Sequence, residues 1–186
     1  QVAAMSALCA RMLRASSTLA VAAALLVACA SAPMSPAMQA AAPPPARATA
    51  PGAVSVLVTG GGETTALDGP NIANADFKAA IEASLLQARA FERVAVDADA
   101  RYRLSARIVS LSKPVFGASF TVDFEVGWSL LDTRSGQMLL RKGITASGTA
   151  TMSEAFVGAT RIRLAVEAAA RANIEQMLRE LPALKD

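Results

Sequence analysis

The chain has 186 residues, of which 53% are hydrophobic and 18% charged, with a formal net charge of +3 and no histidine. That length suits one domain, and the near-neutral balance gives no electrostatic case for a nucleic-acid partner. Ser–His–Asp catalysis and the usual zinc sites are excluded with histidine, and the two cysteines, Cys9 and Cys29, both precede any plausible core.

Arg11 and Arg14 are followed by an apolar run over residues 19–28. A basic start, about ten apolar residues and a small-residue end make an export signal, too short to cross a bilayer as a helix. If residues 1–28 are removed, the net charge falls to +1. Leu26-Val27-Ala28-Cys29 resembles the lipobox of bacterial lipoproteins. That resemblance implies that Cys29 carries the lipid, that the signal is cut just before it, and that acyl chains such as palmitate hold the protein to a membrane. Each buried methylene contributes about 0.8 kcal/mol, so several chains anchor where one does not. Ala30, where an Asp would mark inner-membrane retention, implies the periplasmic face of the outer membrane. Inner-membrane retention is one alternative. Another is a soluble periplasmic protein, cut at Ala28-Cys29-Ala30 or Ala30-Ser31-Ala32.

Residues 33–52 contain Pro33, Pro36, Pro43, Pro44, Pro45 and Pro51. Proline fixes φ and removes donors, so residues 29–52 read as a lipidated cysteine plus an extended tether, roughly 60 Å long for twenty residues. A single α/β domain is expected over residues 53–186.

Val54, Val56 and Val58 mark a first strand that stops at Gly60-Gly61-Gly62. Those glycines lack the Gly-Lys-Ser/Thr ending of a phosphate-binding loop and read as a flexible connection. Asn74 is a candidate N-cap for a helix to about Ala90, with Phe77, Ile81, Leu85 and Ala88 on one face. Residues 101–111 and 119–131 alternate with period two. Tyr102, Leu104, Ala106 and Ile108 in the first, and Phe120, Val122, Phe124, Val126, Trp128 and Leu130 in the second, point to the core. The opposite face then carries Arg101, Arg103, Arg107, Asp123 and Glu125 as candidate open-face charges. A hairpin centred on residues 114–115 would set the arginines against the acids.

Asp132-Thr133-Arg134-Ser135-Gly136 is a second turn, followed by Met138, Leu140, Ile144, Ala146, Ala150 and Met152 in the same rhythm. Lys142 breaks it, which calls for a bulge near Gly143 or a snorkelling side chain. Ser153 or Thr160 would cap a final helix ending at Leu181-Pro182. In that helix Arg163, Glu167, Arg171, Glu175 and Arg179 form a ladder expected on the solvated face. Ile162, Ala165, Val166, Ala169, Ala172 and Met177 face the core, with Asn173 among them and in need of partners.

The order β–α–β–β–β–α gives an α+β two-layer sandwich, a mainly antiparallel four-stranded sheet with two helices on one face. Phe77–Leu86 as a helix, Tyr102-Arg103-Leu104, Val126-Gly127-Trp128-Ser129-Leu130 and the Ala-rich closing helix together resemble small α/β envelope lipoproteins. Examples are the lipopolysaccharide-assembly lipoprotein and the auxiliary lipoproteins of ABC-type lipid transport. The resemblance implies a lipid-anchored, non-catalytic accessory module with an envelope complex, and lipid, as partners and no cofactor or metal. The competing reading is a hydrolase or transferase built on Ser or on Asp97, Asp99 or Glu63, which requires those acids to converge in a pocket.

Overall fold

The computed structural model describes residues 31–41, 50–65 and 68–184. Cys9, Arg11, Arg14, Leu26, Val27, Ala28, Cys29 and Ala30 lie outside the described residues. Five strands form one sheet: β1 (Ala50–Thr59), β2 (Phe91–Val94), β3 (Tyr102–Ser112), β4 (Phe120–Asp132) and β5 (Met138–Ala150), in the order β2-β1-β3-β4-β5. β1 runs parallel to both its neighbours, while β3, β4 and β5 are a long antiparallel meander. The helices are a single turn α1 (Ser35–Met38), α2 (Asn74–Gln87) and α3 (Gly158–Glu180).

The fold is the two-layer α+β arrangement that the alternation predicts, with five strands in place of four. β2 is only four residues long and buries Phe91 alone, against Tyr102 at 5.5 Å between ring centroids. A strand that short shows no period. β1 opens at Ala50, ahead of the expected boundary, with Pro51 and Gly52 in an irregularity where no ladder bond is required of the proline.

The helix-facing residues of the central strands are buried as their spacing dictates. Phe77 of α2 stands edge-on to Phe124 at 5.3 Å and lies 6.1 Å from Trp128. The alternation shifts twice. A bulge at Val109 turns Leu111 toward the core, and one at Leu139 places Met138 opposite Leu131 on the other face. Gly143 is in register, so the bulge expected there is absent. Lys142 lies opposite Trp128 on the helix side and escapes at the sheet edge, where its Nζ meets Glu180 at 2.7 Å.

Three local expectations are corrected. Asn74 does not cap α2; it is the first helical residue, and its Oδ1 accepts the Gly61 N–H at 2.8 Å. The glycine loop is therefore held rather than loose: Gly60 has φ +84°, and a Cβ there would lie 2.3 Å from the Ile108 carbonyl oxygen. Neither Ser153 nor Thr160 caps α3, which begins after Val157 without a side-chain cap.

The largest difference concerns residues 31–41. The predicted extended spacer is here a docked strap: α1 lies against both α2 and α3, and Met38 is fully buried. Pro36 suits the first turn of α1 because its fixed φ is already helical. The strap consumes the charge ladder of α3. Glu167 Oε1 accepts the Met34 N–H at 3.0 Å, Arg171 donates to the Ala37 carbonyl at 2.7 and 3.1 Å, and Glu175 Oε1 accepts the Ala41 N–H at 2.9 Å. From α2, Ser84 Oγ accepts the Ala40 N–H at 3.0 Å. Charges four apart stack along one helix face, so they meet backbone groups three or four residues apart on a chain running alongside. Glu167 is only 3% exposed and also takes Arg163 at 3.0 Å, so this part of the ladder is an interface and not a solvated face.

Candidate functional site

With both helices on one side, the other face of β3, β4 and β5 is open. The predicted charges Arg103, Arg107, Asp123 and Glu125 all lie on it, but the hairpin register separates them. Arg107 is opposite Gly127 and Arg103 opposite Leu131, while Asp123 faces Ser112 and Glu125 faces Ser110. The expected cross-strand pairing of arginines with acids is thus not formed.

The cause is the length of the connection. Residues 113–119 form a long loop that is pinned at its start by Lys113. The Lys113 ammonium donates to the Asp68 carbonyl at 2.7 Å, the Pro70 carbonyl at 3.2 Å and Asn71 Oδ1 at 2.8 Å, which uses all three of its protons. Burial pulls its pKa below the usual lysine value, against the opposing charge of Asp68.

The separated charges find other partners. Asp123 accepts the Ser147 hydroxyl at 2.6 Å and Glu125 accepts that of Ser110 at 3.4 Å. Arg103 pairs with Asp97 at 3.3 Å, and Arg101 with Asp132 at 3.7 Å while lying over the Tyr102 ring. The Ser55 hydroxyl beside Asp97, and then Arg103, hold that carboxyl below its ordinary range. Among the described residues, the guanidinium groups of Arg107 and Arg141 make no hydrogen bond or ion pair, their backbones being taken up in the sheet.

These two arginines flank a depression of about 330 Å³. Its floor is Gly127 beside Gly143, adjacent in the β4–β5 register, so two side chains are missing from the middle of the face. Ser129, opposite Arg141, adds a hydroxyl. The dent is open, cationic and hydroxylated, which suits a carboxylate, phosphate or sulfate group on a larger partner. Sequence periodicity places Arg107 on this face. It does not reveal that Gly127 and Gly143 are neighbours or that Arg141 closes the rim, because those facts require the register.

The acids proposed for catalysis do not converge. Asp97 lies abreast of Ser55 in the crossover between β2 and β3, with Asp99 in the same short turn (Asp97–Asp99). Glu63 is beyond the far end of β1, where its carbonyl accepts Asn71. The side chains of Phe120, Phe124 and Trp128 are buried, as their alternation predicts, and line no open groove.

Comparison with known proteins places this arrangement. No protein-family model and no curated protein matches the sequence. Among solved structures, protein XCC0632 from Xanthomonas campestris, described with the family DUF330, superposes with a TM-score of 0.58 at 12% identity, over 80% of this chain and 91% of that one. The likeness is one of fold. Protein CT253 from Chlamydia trachomatis gives 0.49 at 14% identity, over 69% and 96%. PelC from Paraburkholderia phytofirmans, solved as a dodecamer, gives 0.49 at 22% identity, over 75% and 94%. The likeness to XCC0632 extends over most of this chain and assigns no residue of the dent.

Proposed function

We propose that this chain is a lipid-anchored envelope lipoprotein, attached through Cys29 to the periplasmic face of the outer membrane, whose domain is a non-catalytic binding module for an assembly or transport complex. The observation that carries this reading is Leu26-Val27-Ala28-Cys29 placed directly after a basic, then apolar, export signal. Ala30 supports the outer over the inner membrane. The domain contributes an uncovered sheet face whose basic dent, at Arg107 and Arg141, is the surface offered to an anionic partner group. The docked strap sets the geometry of the anchor. Only the residues between Cys29 and Met34 are left to span from lipid to domain, about 18 Å fully extended, so the domain is held at the membrane and not on a long stalk.

Fatty-acid labelling of wild type and Cys29→Ala tests the anchor. Label is expected on wild type alone, in the outer-membrane fraction; equal labelling of both removes it. Crosslinking in the native envelope tests the role. Recovery of a lipid-export or outer-membrane assembly complex, lost with Arg107→Glu plus Arg141→Glu, fits the proposal, whereas a protein that elutes alone and turns over envelope substrates contradicts it.

A further inference from the structure

Two loops meet at one end of the sheet, residues 113–119 and 151–157, because Phe120 pairs with Ala150 at the start of β4 and the end of β5. Between them they expose Val115, Phe116, Met152, Phe156 and Val157, at 77, 89, 46, 81 and 61% of their full surface. Single exposed apolar residues are ordinary, but a cluster with two nearly bare phenylalanines marks a contact surface. The charges within these loops turn away from it. Lys113 is spent on the Asp68 and Pro70 carbonyls and Asn71 Oδ1, and Glu154 folds back onto the Thr151 N–H and hydroxyl at 2.8 and 2.9 Å. Just behind the cluster, the Arg161 guanidinium lies 4.9 Å from the Phe120 ring, with Nε and Nη1 buried and lacking an acceptor.

The N-terminal strap points at the same end. α3 starts there, at Gly158, and the strap runs alongside α3 in the same direction, from Met34 at Glu167 to Ala41 at Glu175. From Ala41 back to Met34 the strap thus runs toward the end that carries the apolar loops. Glu167 lies nine residues into α3, about 13 Å from its start. The segment from Met34 back to Cys29 reaches about 18 Å when extended. An acyl group on Cys29 can therefore enter a bilayer at the end of the domain that carries the two phenylalanines.

We propose that this end is a membrane-seating surface, with Val115, Phe116, Phe156 and Val157 inserted into the headgroup–acyl boundary of a lipid bilayer beside the anchor. Apolar side chains gain by leaving water there, and the positive charge of the Arg161 guanidinium close behind them favours an anionic headgroup region. Anchor and loops then act as two attachments to one surface, which fixes the orientation of the domain as well as its distance. The direction of the strap toward a bilayer rests on the anchored reading; the affinity of the loops for lipid does not, and the test separates the two.

The mature chain from residue 29 carrying Cys29→Ala, which lacks the apolar export signal and cannot be acylated, is mixed with vesicles of phosphatidylethanolamine and a minor fraction of phosphatidylglycerol. Phe116→Trp in that background serves as a reporter, with Leu57→Trp, on the open face, as control. The expected result is a blue shift and quenching by brominated lipid at position 116 and no change at 57. Phe116→Ser with Phe156→Ser is expected to lower vesicle partition at least about tenfold while leaving the circular dichroism spectrum unchanged. An unshifted reporter signal at position 116, or equal partition of the double variant, overturns the proposal whatever fatty-acid labelling shows. Concentration-dependent self-association abolished by the double variant, without vesicle binding, assigns the surface to a second copy of the chain and overturns it too.

Discussion

The Trp128 indole N–H donates to Asn173 Oδ1 at 2.9 Å, and the same asparagine uses its amide to reach the carbonyls of Phe124 at 3.1 Å and Ile144 at 2.8 Å. One fully buried polar side chain thus ties α3 to β4 and β5 at the centre of the apolar layer. Leaving a buried donor and two carbonyls unanswered costs more than the bonds gained, so Asn173→Leu should lower stability by about 3 kcal/mol. Trp128 is the sole tryptophan, which makes its emission a direct monitor of unfolding in urea. Asn173→Leu in a Trp128→Phe background, followed by circular dichroism, should cost clearly less than in wild type, because the indole donor is already gone; equal costs would show that the two side chains are energetically independent.

The strap should be separable from the domain beneath it. Arg171→Met retains an aliphatic stem but removes both hydrogen bonds to the Ala37 carbonyl. Glu175→Gln keeps an acceptor for the Ala41 N–H and is the conservative partner. Hydrogen exchange at the amides of residues 34–41 should accelerate several-fold in Arg171→Met and little in Glu175→Gln, with the β4 and β5 amides unchanged in both. Exchange at the strap that is already fast in wild type would mean that Met38 alone does not hold the segment down.

Most of the sheet was legible in the sequence because β3 and β4 combine strict alternation with length, and each side chain at Tyr102, Leu104, Phe124 and Trp128 lies where period two puts it. Register was not legible. It depends on the loop at residues 113–119, which is pinned by Lys113 to the carbonyls of Asp68 and Pro70 and to Asn71 Oδ1, far away in the sequence. Alternation alone therefore puts Arg103, Arg107, Asp123 and Glu125 on one side of β3 and β4 without saying which lie opposite one another, or that Gly127 and Gly143 are neighbours. The strap is hidden in the sequence for a different reason. Prolines argue against long regular structure but not against a single docked turn, and an alternating ladder such as Glu167, Arg171 and Glu175 reads identically whether its partners are water or backbone.

Two glycines on β5 should respond in opposite ways to one added methyl group. A Cβ on Gly148 would lie 2.2 Å from the Ala165 carbonyl oxygen and the Ala169 nitrogen, so α3 rests directly on the strand backbone at that point. Helix backbone cannot swing aside like a long side chain, and Gly148→Ala should cost about 3 kcal/mol or more, read as a large drop in Tm. Gly143 has nothing within 4 Å of its would-be Cβ. Gly143→Ala should fold normally and merely raise the floor of the basic dent. Equal Tm values for the two variants would place α3 further from β5 than the structure does.

Acid should weaken the second hairpin through Asp132. Partial burial raises its pKa, but the N–H groups of Arg134 and Ser135, with the charges of Arg101 and Arg134, outweigh this and leave the carboxyl below its ordinary value. A lowered folded-state pKa means the unfolded chain takes up protons first as pH falls, so the stabilisation is complete above the ordinary aspartate pKa and is lost as pH drops through the lowered one. Asp97 and Glu154 are shifted the same way, by Ser55 with Arg103 and by the Thr151 N–H and hydroxyl. Wild-type Tm should therefore decline between about pH 5 and pH 3. Asp132→Asn keeps an oxygen for the turn but carries no charge toward Arg101 at 3.7 Å. Its Tm should lie below that of wild type at neutral pH and approach it as acid protonates the native aspartate. A gap that widens on acidification would reverse the sign and require the carboxyl to be better stabilised when protonated.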